Sequence, residues 1–251
     1  MVEIILLPIG FAIAVLYSMI GLGGGSLFVP LLVLGFGLPT QKAIGVSLFG
    51  IAFMTVAATL VYAIQKRINY KGVLLLDTLD VPGAVLGAYL TTLVAPLLLG
   101  GMFGAVLMVI AWLIIFQKGS KGEGRRFAVT HKVVGCCLLG SFLSGVVSGM
   151  FGIGGGVVDE AVMILLLGMS IRISAGTAMF GMAITVVAAL LPHWIFGNVL
   201  LDYAAPLGLG CILGAPIGSF FSARIKATTL RRILGVVLVI IAIRMLLLPA
   251  L

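Results

Sequence analysis

The sequence predicts an all-α protein that crosses a membrane several times. Hydrophobic residues make up 62% of the 251 residues, charged residues make up only 9%, and the mean hydropathy is +1.35. Soluble domains carry roughly 25% charged residues, so this chain lacks the polar surface that water requires. Its long apolar runs are separated by short polar stretches, and a helix of about 20 apolar residues spans a bilayer. We therefore expect a polytopic protein with about eight to ten transmembrane segments.

The apolar runs follow one another in a repeated order. The first occupies residues 4–20, and because no basic stretch precedes it we read it as a retained span rather than as a cleaved signal. A glycine-rich stretch and a short apolar run to Leu38 come next. The same order returns in the second half, with a short run to Gly168. The remaining full spans are expected at 43–64, 72–94, 98–116, 133–150, 173–196, 200–221 and 233–250.

The chain divides into two tandem repeats joined by a polar linker. We assign residues 1–116 to the first transmembrane repeat, 117–132 to a cytoplasmic linker, and 133–251 to the second repeat. Residues 21–50 align with 152–181 without a gap; nine of the 30 pairs are identical, and seven of the nine are glycines. A coherent register of this kind indicates an internal duplication.

The basic residues favour inverted repeats of five elements each. If the short segment of each half crosses the membrane, 13 of the 15 Lys and Arg residues lie on one face. Loops on the cytoplasmic side carry the excess of Lys and Arg, so we read this face as cytoplasmic. If the short segments dip in and return, each half has four spans, and the basic loop at 222–232 then faces outward. A total of eight spans therefore stays open.

Two glycine-rich stretches interrupt the apolar runs at corresponding places. We call Gly21–Ser26 the first glycine break and Gly152–Gly156 the second glycine break. Each glycine costs about 1 kcal/mol of helix propensity relative to alanine, so the helices should open here. Open backbone at membrane depth has to be satisfied by protein, water or ligand. Paired breaks in two repeats are typical of secondary transporters that bind their substrates between the repeats.

The backbone of each break suits a small anion. Free N–H groups that precede a short helix combine hydrogen-bond donors with the positive end of the helix dipole. The hydroxyls of Ser47 and Thr177, one position apart in the aligned repeats, would complete the shell of donors. Two alternatives stay open: the glycines permit close helix crossing, and the hydroxyls bond to a carbonyl one turn earlier. The candidate substrate-binding residues are Gly23, Gly24, Gly25, Ser26, Ser47, Gly154, Gly155, Gly156 and Thr177.

Two acidic residues follow the second break after a pair of valines. Asp159 and Glu160 would be expensive in hydrocarbon, and such residues mark functional sites. Three interpretations stay open: they carry a coupling proton, they cap the helix that begins after the break, or they pair with Arg172. Tyr62 and His193 occupy matching positions, 131 residues apart, and are candidates for a relay or an interfacial role. The candidates for coupling or gating are therefore Asp159, Glu160, Arg172, Tyr62 and His193.

Other residue patterns are less informative. Asp77 and Asp80 are three residues apart, so on a helix they share a face and could line a polar cavity. The three cysteines lie within apolar spans, where they are expected to act as small packing residues. The sequence contains no HExxH motif, no P-loop motif and no Cys–His cluster with metal spacing. We expect no cofactor, no metal and no catalytic constellation.

The motifs resemble those of the TauE/SafE family of membrane permeases. In the first repeat the likeness rests on Gly21–Gly25, Pro30, Gly37–Pro39 and Ala43–Leu48. The second repeat has similar motifs at Gly152–Gly156 and Ala175–Thr177. The resemblance covers essentially the whole chain and implies transport of sulfite, sulfoacetate or related organosulfonates without ATP hydrolysis. One departure is Val157–Ala161, where acids stand in a stretch that the family pattern makes apolar and ends in proline; it argues against a symmetric anion site.

These observations predict a secondary transporter of small sulfur-containing anions that works by alternating access, with proton coupling as a hypothesis. A carrier or channel for another anion or for a cation is the first alternative, and a membrane-embedded enzyme or assembly factor is the second. We expect a small anionic substrate and the lipid bilayer as partners, leave a homodimer open, and expect no nucleic acid. We expect a multi-pass protein of a prokaryotic cell membrane with its basic loops in the cytoplasm.

Overall fold

Ten α-helices make up the fold of the computed structural model, which describes residues 2–116, 131–165, 167–222, 224 and 227–247. No strand occurs in these ranges, so the predicted all-α class is confirmed. A 3₁₀ turn at Val2–Ile5 precedes the first helix, and a π-helical turn at Leu31–Gly35 extends the second. The helices are α1 (Leu6–Ile20), α2 (Gly25–Pro30), α3 (Thr40–Ile64), α4 (Tyr70–Leu93), α5 (Pro96–Phe116), α6 (His131–Phe151), α7 (Gly156–Leu165), α8 (Ile171–Ile195), α9 (Leu201–Phe221) and α10 (Ala227–Leu247).

Six helices of the described ranges are long and apolar enough to cross a membrane: α1 with its preceding turn, α3, α5, α6, α8 and α9. Helices α4 and α10 have similar lengths of 24 and 21 residues. Each of these two carries three charged residues along its length. The polytopic membrane architecture is therefore confirmed, and six of the ten charged residues within the long helices lie in α4 and α10.

Matching helices of the two halves begin and end at matching positions. Helix α3 and helix α8 are offset by 131 residues at both ends, and the same offset relates both ends of α5 and α10. The first residues of α2 and α7 are also 131 positions apart, and so are the first residues of α4 and α9. The predicted linker lies outside the described residues, except that His131 and Lys132 already belong to α6.

One predicted boundary is wrong. The last span was expected to start at residue 233 after a basic loop, but α10 begins at Ala227. Arg231 and Arg232 therefore belong to the helix, and the Arg231 side chain is only 2% exposed. An apolar pattern assigns a buried arginine to a loop because the pattern does not include the partner that makes burial tolerable.

The core of the protein lies between the halves rather than within each of them. Helix α1 packs against α9 and α4 packs against α6, while α3 contacts both α8 and α9. Helix α4 also packs on α8, and α5 packs on α10. Glycines allow the close approach: a Cβ added at Gly145 or Gly149 of α6 would collide with backbone carbonyls of α4. The two predicted repeats are thus interlocked.

Candidate functional site

The first glycine break separates α1 from α2. Helix α1 ends at Ile20, and the N–H of Gly21 closes its last turn by donating to the Tyr17 carbonyl at 2.9 Å. Gly21, Gly23 and Gly24 have φ angles of +79°, +87° and +84°. This left-handed region costs a residue with a Cβ roughly 1–2 kcal/mol, so glycine is the residue that opens the helix here.

The second glycine break has the same construction. Helix α6 ends at Phe151, and the N–H of Gly152 donates to the Ser148 carbonyl at 2.8 Å. Gly152, Gly154 and Gly155 have φ angles of +66°, +93° and +67°. The predicted interruptions are therefore present in both halves, with left-handed glycines at corresponding positions.

The two breaks lie against each other. A Cβ added at Gly25 would collide with the carbonyl oxygen of Gly152, and one added at Gly156 would lie 3.0 Å from the Gly21 carbonyl oxygen. Each break also rests on a long helix of the opposite half, since Gly21 meets Ala175 of α8. The glycines thus open the helices and also let the backbones approach closely.

Consecutive backbone donors in both breaks make no hydrogen bond to any residue that the structure describes. These N–H groups belong to Gly23, Gly24, Gly25 and Ser26 in the first break, and to Ile153, Gly154, Gly155 and Val157 around the second. All of these residues are buried. A buried N–H without an acceptor costs about 1–3 kcal/mol, so these two runs of N–H groups are the candidate sites for a bound acceptor.

The candidate hydroxyl groups have different surroundings. The Ser26 hydroxyl lies 2.9 Å from the Tyr17 hydroxyl, and both side chains are buried. Ser47 of α3 donates to the Gly152 carbonyl at 3.0 Å and so contacts the second break. Thr177 bonds to the Ile173 carbonyl one turn earlier at 2.6 Å and accepts from the Asn69 N–H, so its hydrogen bonds are made away from the breaks.

Tyr62 and His193 make equivalent contacts with the two broken helices. The Tyr62 hydroxyl donates to the Ser18 carbonyl of α1 at 2.6 Å. The Nε2 atom of His193 lies 3.0 Å from the Gly149 carbonyl oxygen of α6. Both carbonyls belong to the last turn before a break, where helix carbonyls lack an intrahelical partner. These two buried side chains therefore cap the ends of α1 and α6.

The acidic pair behind the second break points to different partners. Glu160 forms a buried ion pair with Arg231 of α10. The ion-pair partner that the structure gives Glu160 is thus Arg231, while Arg172 is an exposed residue at the start of α8. Asp159 occupies the first turn of α7, where the helix dipole favours a carboxylate, and is 3% exposed.

Sequence reasoning predicted for Asp80 only a helix face that could line a polar cavity, and it assigned no role to Ser144 and Thr185; these side chains surround Asp159 in the structure. Asp80 of α4 is fully buried, and its Oδ2 atom accepts a 2.5 Å hydrogen bond from Thr185 of α8. The Ser144 hydroxyl of α6 lies close to both carboxyl groups and donates to the Gly155 carbonyl at 3.0 Å. Comparing residues 131 positions apart would have found these side chains, because their counterparts in the other half are apolar or weakly polar.

Known proteins similar to this chain share one description. The probable membrane transporter protein YunE of Bacillus subtilis is 28% identical, with 95% of each chain covered. YdhB of the same organism is also 28% identical, covering 84% of this chain and 87% of its own length. A probable membrane transporter protein of Methanocaldococcus jannaschii is 26% identical over 97% of this chain and 95% of its own. No solved structure matches the chain.

The family model described as "Sulfite exporter TauE/SafE" matches residues 6–245. This range contains both glycine breaks and all ten helices except the last two residues of α10. The chain therefore belongs to the TauE/SafE sulfite exporter family of membrane proteins.

Proposed function

We propose that this chain is a secondary transporter of small sulfur-containing anions such as sulfite, sulfoacetate or another organosulfonate. Membership of the TauE/SafE family and the probable membrane transporters related to it support the transporter class. The substrate class rests on the chemistry of the breaks, together with the sulfite exporter description of the family.

The observation that carries the proposal is the row of buried, unpartnered N–H groups from Gly23 to Ser26. A sulfonate or sulfite group presents three acceptor oxygens, and successive backbone N–H groups bind anions without a buried lysine. The α2 segment continues through its π-helical turn to Gly35, which adds a helix dipole to these donors. The site therefore supplies positive potential without a fixed positive charge.

The first break is the stronger candidate for the anion because the acids lie beside the second. Asp159 is close to Gly155, with its Oδ2 atom 3.3 Å from a Cβ placed on that glycine. The corresponding position beside Gly24 is occupied by Phe28, at 3.1 Å. A carboxylate near the second break would repel an anion, whereas the aromatic ring beside the first break would not.

Alternating access would follow from movement of one half against the other. The breaks contact each other, and each contacts the long helix of the opposite half, at Ala175 of α8 and Ile44 of α3, so a substrate held between them would contact both halves. We propose that the halves are inverted repeats in a prokaryotic cell membrane, with the basic loops in the cytoplasm. Rocking of interlocked inverted repeats around a site near the midplane is a general mechanism of secondary transporters.

Ligand-dependent thermal stabilisation of the purified protein tests this function. We expect sulfite, sulfoacetate or taurine to raise the melting temperature more than chloride or sulfate does, because a ligand that binds only the folded state stabilises it. Uptake of the stabilising compound into proteoliposomes then tests transport. If neither the organosulfur anions nor sulfite stabilise the protein or enter the liposomes, the proposed substrate class is wrong.

Two variants locate the anion. Ser26→Ala and Gly24→Ala should weaken binding of the stabilising anion, since they change the hydroxyl and the backbone of the first break. Ser219→Ala is the matched control, because its buried hydroxyl bonds only to the Ala215 carbonyl of its own helix. Equal affinity in all three variants would place the anion elsewhere.

A cation carrier is the second candidate, and the buried carboxyl groups of Asp80 and Asp159 favour it. A cation substrate would stabilise the purified protein in the absence of any organosulfur anion. The same thermal assay with alkali and alkaline-earth chlorides separates the two functions.

A further inference from the structure

The two breaks have the same backbone but opposite linings. Gly24 and Gly155 are 131 positions apart and both have left-handed φ angles, of +84° and +67°. A Cβ at Gly24 would lie within 3.1–3.6 Å of three apolar side chains, those of Phe28, Met54 and Ile13. A Cβ at Gly155 would lie 2.8 Å from the Ser144 hydroxyl, 3.3 Å from Asp159 Oδ2 and 3.6 Å from Ser148 Cβ. The lining changes from apolar to polar at an equivalent place in the fold.

The change extends to four members of the polar group, whereas Ser148 matches Tyr17, which is itself polar. The residues at these four matching positions differ in the same direction. The pairs are Ile13 and Ser144, Phe28 and Asp159, Met54 and Thr185, and Cys211 and Asp80. Since the first half forms the same break and the same helix starts with apolar residues, the fold does not require the polar ones. A buried polar group that the fold does not need is expensive unless it has a function.

The carboxyl groups have incomplete hydrogen bonding. Asp80 is fully buried; Thr185 donates to its Oδ2 atom, while Oδ1 has no partner among the described residues. The Oδ1 atom of Asp159 likewise has no partner there. Asp77 lies against α8, where its Oδ1 atom is 2.7 Å from a Cβ placed on Gly181. Three carboxyl groups, from α4 and α7, therefore gather between α6 and α8.

An independent side chain also points to a ligand. The Ser148 hydroxyl lies one turn after Ser144 on α6, beside Gly155, and is fully buried. It makes no hydrogen bond to any described residue. The site thus contains an unpartnered neutral donor and acceptor in addition to the unpartnered carboxyl oxygens. A binding site for a cation shared between oxygens would have this composition.

The charge that balances these carboxyl groups does not come from a neighbouring side chain. Their hydrogen bonds come from hydroxyl groups, and within the described residues α6 and α8 contribute Ser144, Ser148 and Thr185 to the group. Among the other charged or titratable groups on the surrounding helices, Glu160 pairs with Arg231, and His193 bonds to the Gly149 carbonyl near the far end of α8. The cations Lys71, Lys132 and Arg172 lie in the first turns of α4, α6 and α8, and among the described side chains none of them acts on Asp77, Asp80 or Asp159. Buried carboxylates need a positive charge, so it has to be taken up from outside.

A proton fits the geometry better than a metal ion does. Within the described residues, no group of three His, Cys, Asp or Glu side chains is arranged to hold a metal ion. The two carboxyl groups instead approach the same Ser144 hydroxyl, and a proton on either carboxyl oxygen would occupy one of the unpartnered positions. Such carboxyl chains inside membrane proteins are typical of proton pathways.

We propose that Asp80 and Asp159, with Asp77 beside them, form a proton-binding site that couples the two halves. A proton binds to a carboxylate oxygen of the site and leaves as a proton after the halves have moved, so no other bond is made or broken. The site is built from α4 of one half and α7 of the other, and it therefore senses their relative position. This inference rests on the proposed anion transport, because the bound proton offsets the negative charge of the anion.

An infrared titration of the purified protein without any substrate tests the site alone. Protonated carboxyl groups have a C=O stretching band that carboxylates lack. We expect this band to change between acidic and alkaline buffer in the native protein and to be reduced in Asp80→Asn and in Asp159→Asn. Asp202→Asn is the matched control, because Asp202 is exposed at the start of α9 and its removal should leave the buried band unchanged. An unreduced band in both buried variants would overturn the proposal.

A milder pair of variants covers the case in which the asparagine variants do not fold. Thr185→Val keeps the side-chain shape and removes the hydroxyl that donates to Asp80, so the pH midpoint of the band should move. Thr55→Val is its control, because that hydroxyl bonds only to carbonyls of its own helix. Equal midpoints for the two valine variants would contradict the assignment of the band to Asp80.

Transport in proteoliposomes then tests coupling. With the anion that stabilises the protein, Asp80→Asn and Asp159→Asn should lose uptake driven by a pH gradient but retain exchange of labelled for unlabelled anion. Normal gradient-driven uptake in both variants, or uptake driven by a sodium gradient instead, would overturn the coupling role. If the native protein exchanges no sulfite or organosulfonate, the proposed function fails, and the infrared result still decides whether the proton site exists.

Discussion

The contact between the two glycine breaks gives a prediction that can be worked out in detail for Gly25→Ala. An added Cβ would collide with the Gly152 carbonyl oxygen and would lie 2.7 Å from the Ile153 Cα atom. Carbon atoms in contact are normally about 3.5–4.0 Å apart, so one backbone would have to move by about 1 Å. Overpacking of this kind costs about 1–3 kcal/mol, and it cannot be relieved by a rotamer change because the neighbours are backbone atoms.

Three further glycines separate the cost of contact from the cost of backbone conformation. Gly35 has an ordinary φ and its first neighbour at 3.9 Å, so Gly35→Ala should be neutral or stabilising by up to about 1 kcal/mol. Gly37 has a φ of +67° and open space, so Gly37→Ala should cost only about 1–2 kcal/mol of left-handed strain. Gly21 combines a φ of +79° with a backbone contact at 2.5 Å, so Gly21→Ala should cost about 2–5 kcal/mol.

The measurement is the free energy of unfolding of each purified variant, obtained from denaturant titrations in mild detergent. Gly21→Ala should be the least stable, Gly25→Ala and Gly37→Ala intermediate, and Gly35→Ala the most stable. If Gly25→Ala is as stable as Gly35→Ala, the two breaks do not touch as described. The reasoning about a site shared by both breaks would then fail as well.

Three other predictions concern the caps, the ion pair and the topology. Tyr62→Phe should destabilise the protein by about 1–3 kcal/mol, because the buried Ser18 carbonyl loses its hydrogen-bond donor. Tyr89→Phe is the control in the same denaturant titration, because the Tyr89 ring is exposed. Arg231→Met alone should lower the free energy of unfolding by about 3–5 kcal/mol, because Glu160 is left buried without its partner. Arg231→Met combined with Glu160→Met should lower it by less. Additive losses in a double-mutant cycle would contradict a direct pair. Tyr70→Cys and Leu201→Cys change exposed positions that are 131 residues apart. In a cysteine-free background, an impermeant maleimide should label these two cysteines from opposite sides of the membrane. Labelling of both from the same side would exclude inverted repeats.

Much of the architecture follows from patterns that are local in the sequence. The spans at 43–64 and 173–196 coincide with α3 and α8 to within three residues, because apolar length and bilayer thickness are enough to define such helices. The breaks were predictable because each of the several glycines within five positions lowers the helix propensity, and together they favour an interruption of the helix. The boundary of α10 was not predictable in this way, since Arg231 belongs to the helix only because of a partner elsewhere in the chain.

The chain's own sequence determined the membrane class, the two glycine breaks and their repetition, because composition and backbone propensity act over a few neighbouring residues. The tertiary structure decided which buried charges meet. Glu160 pairs with Arg231, which is 71 positions away in the sequence, and Asp80 accepts a hydrogen bond from Thr185, which is 105 positions away. The free energy of burying a carboxyl group depends on the hydrogen-bond and charge partners that packing places beside it. In this fold those partners come from helices that are distant in the sequence, so a local sequence pattern does not predict them.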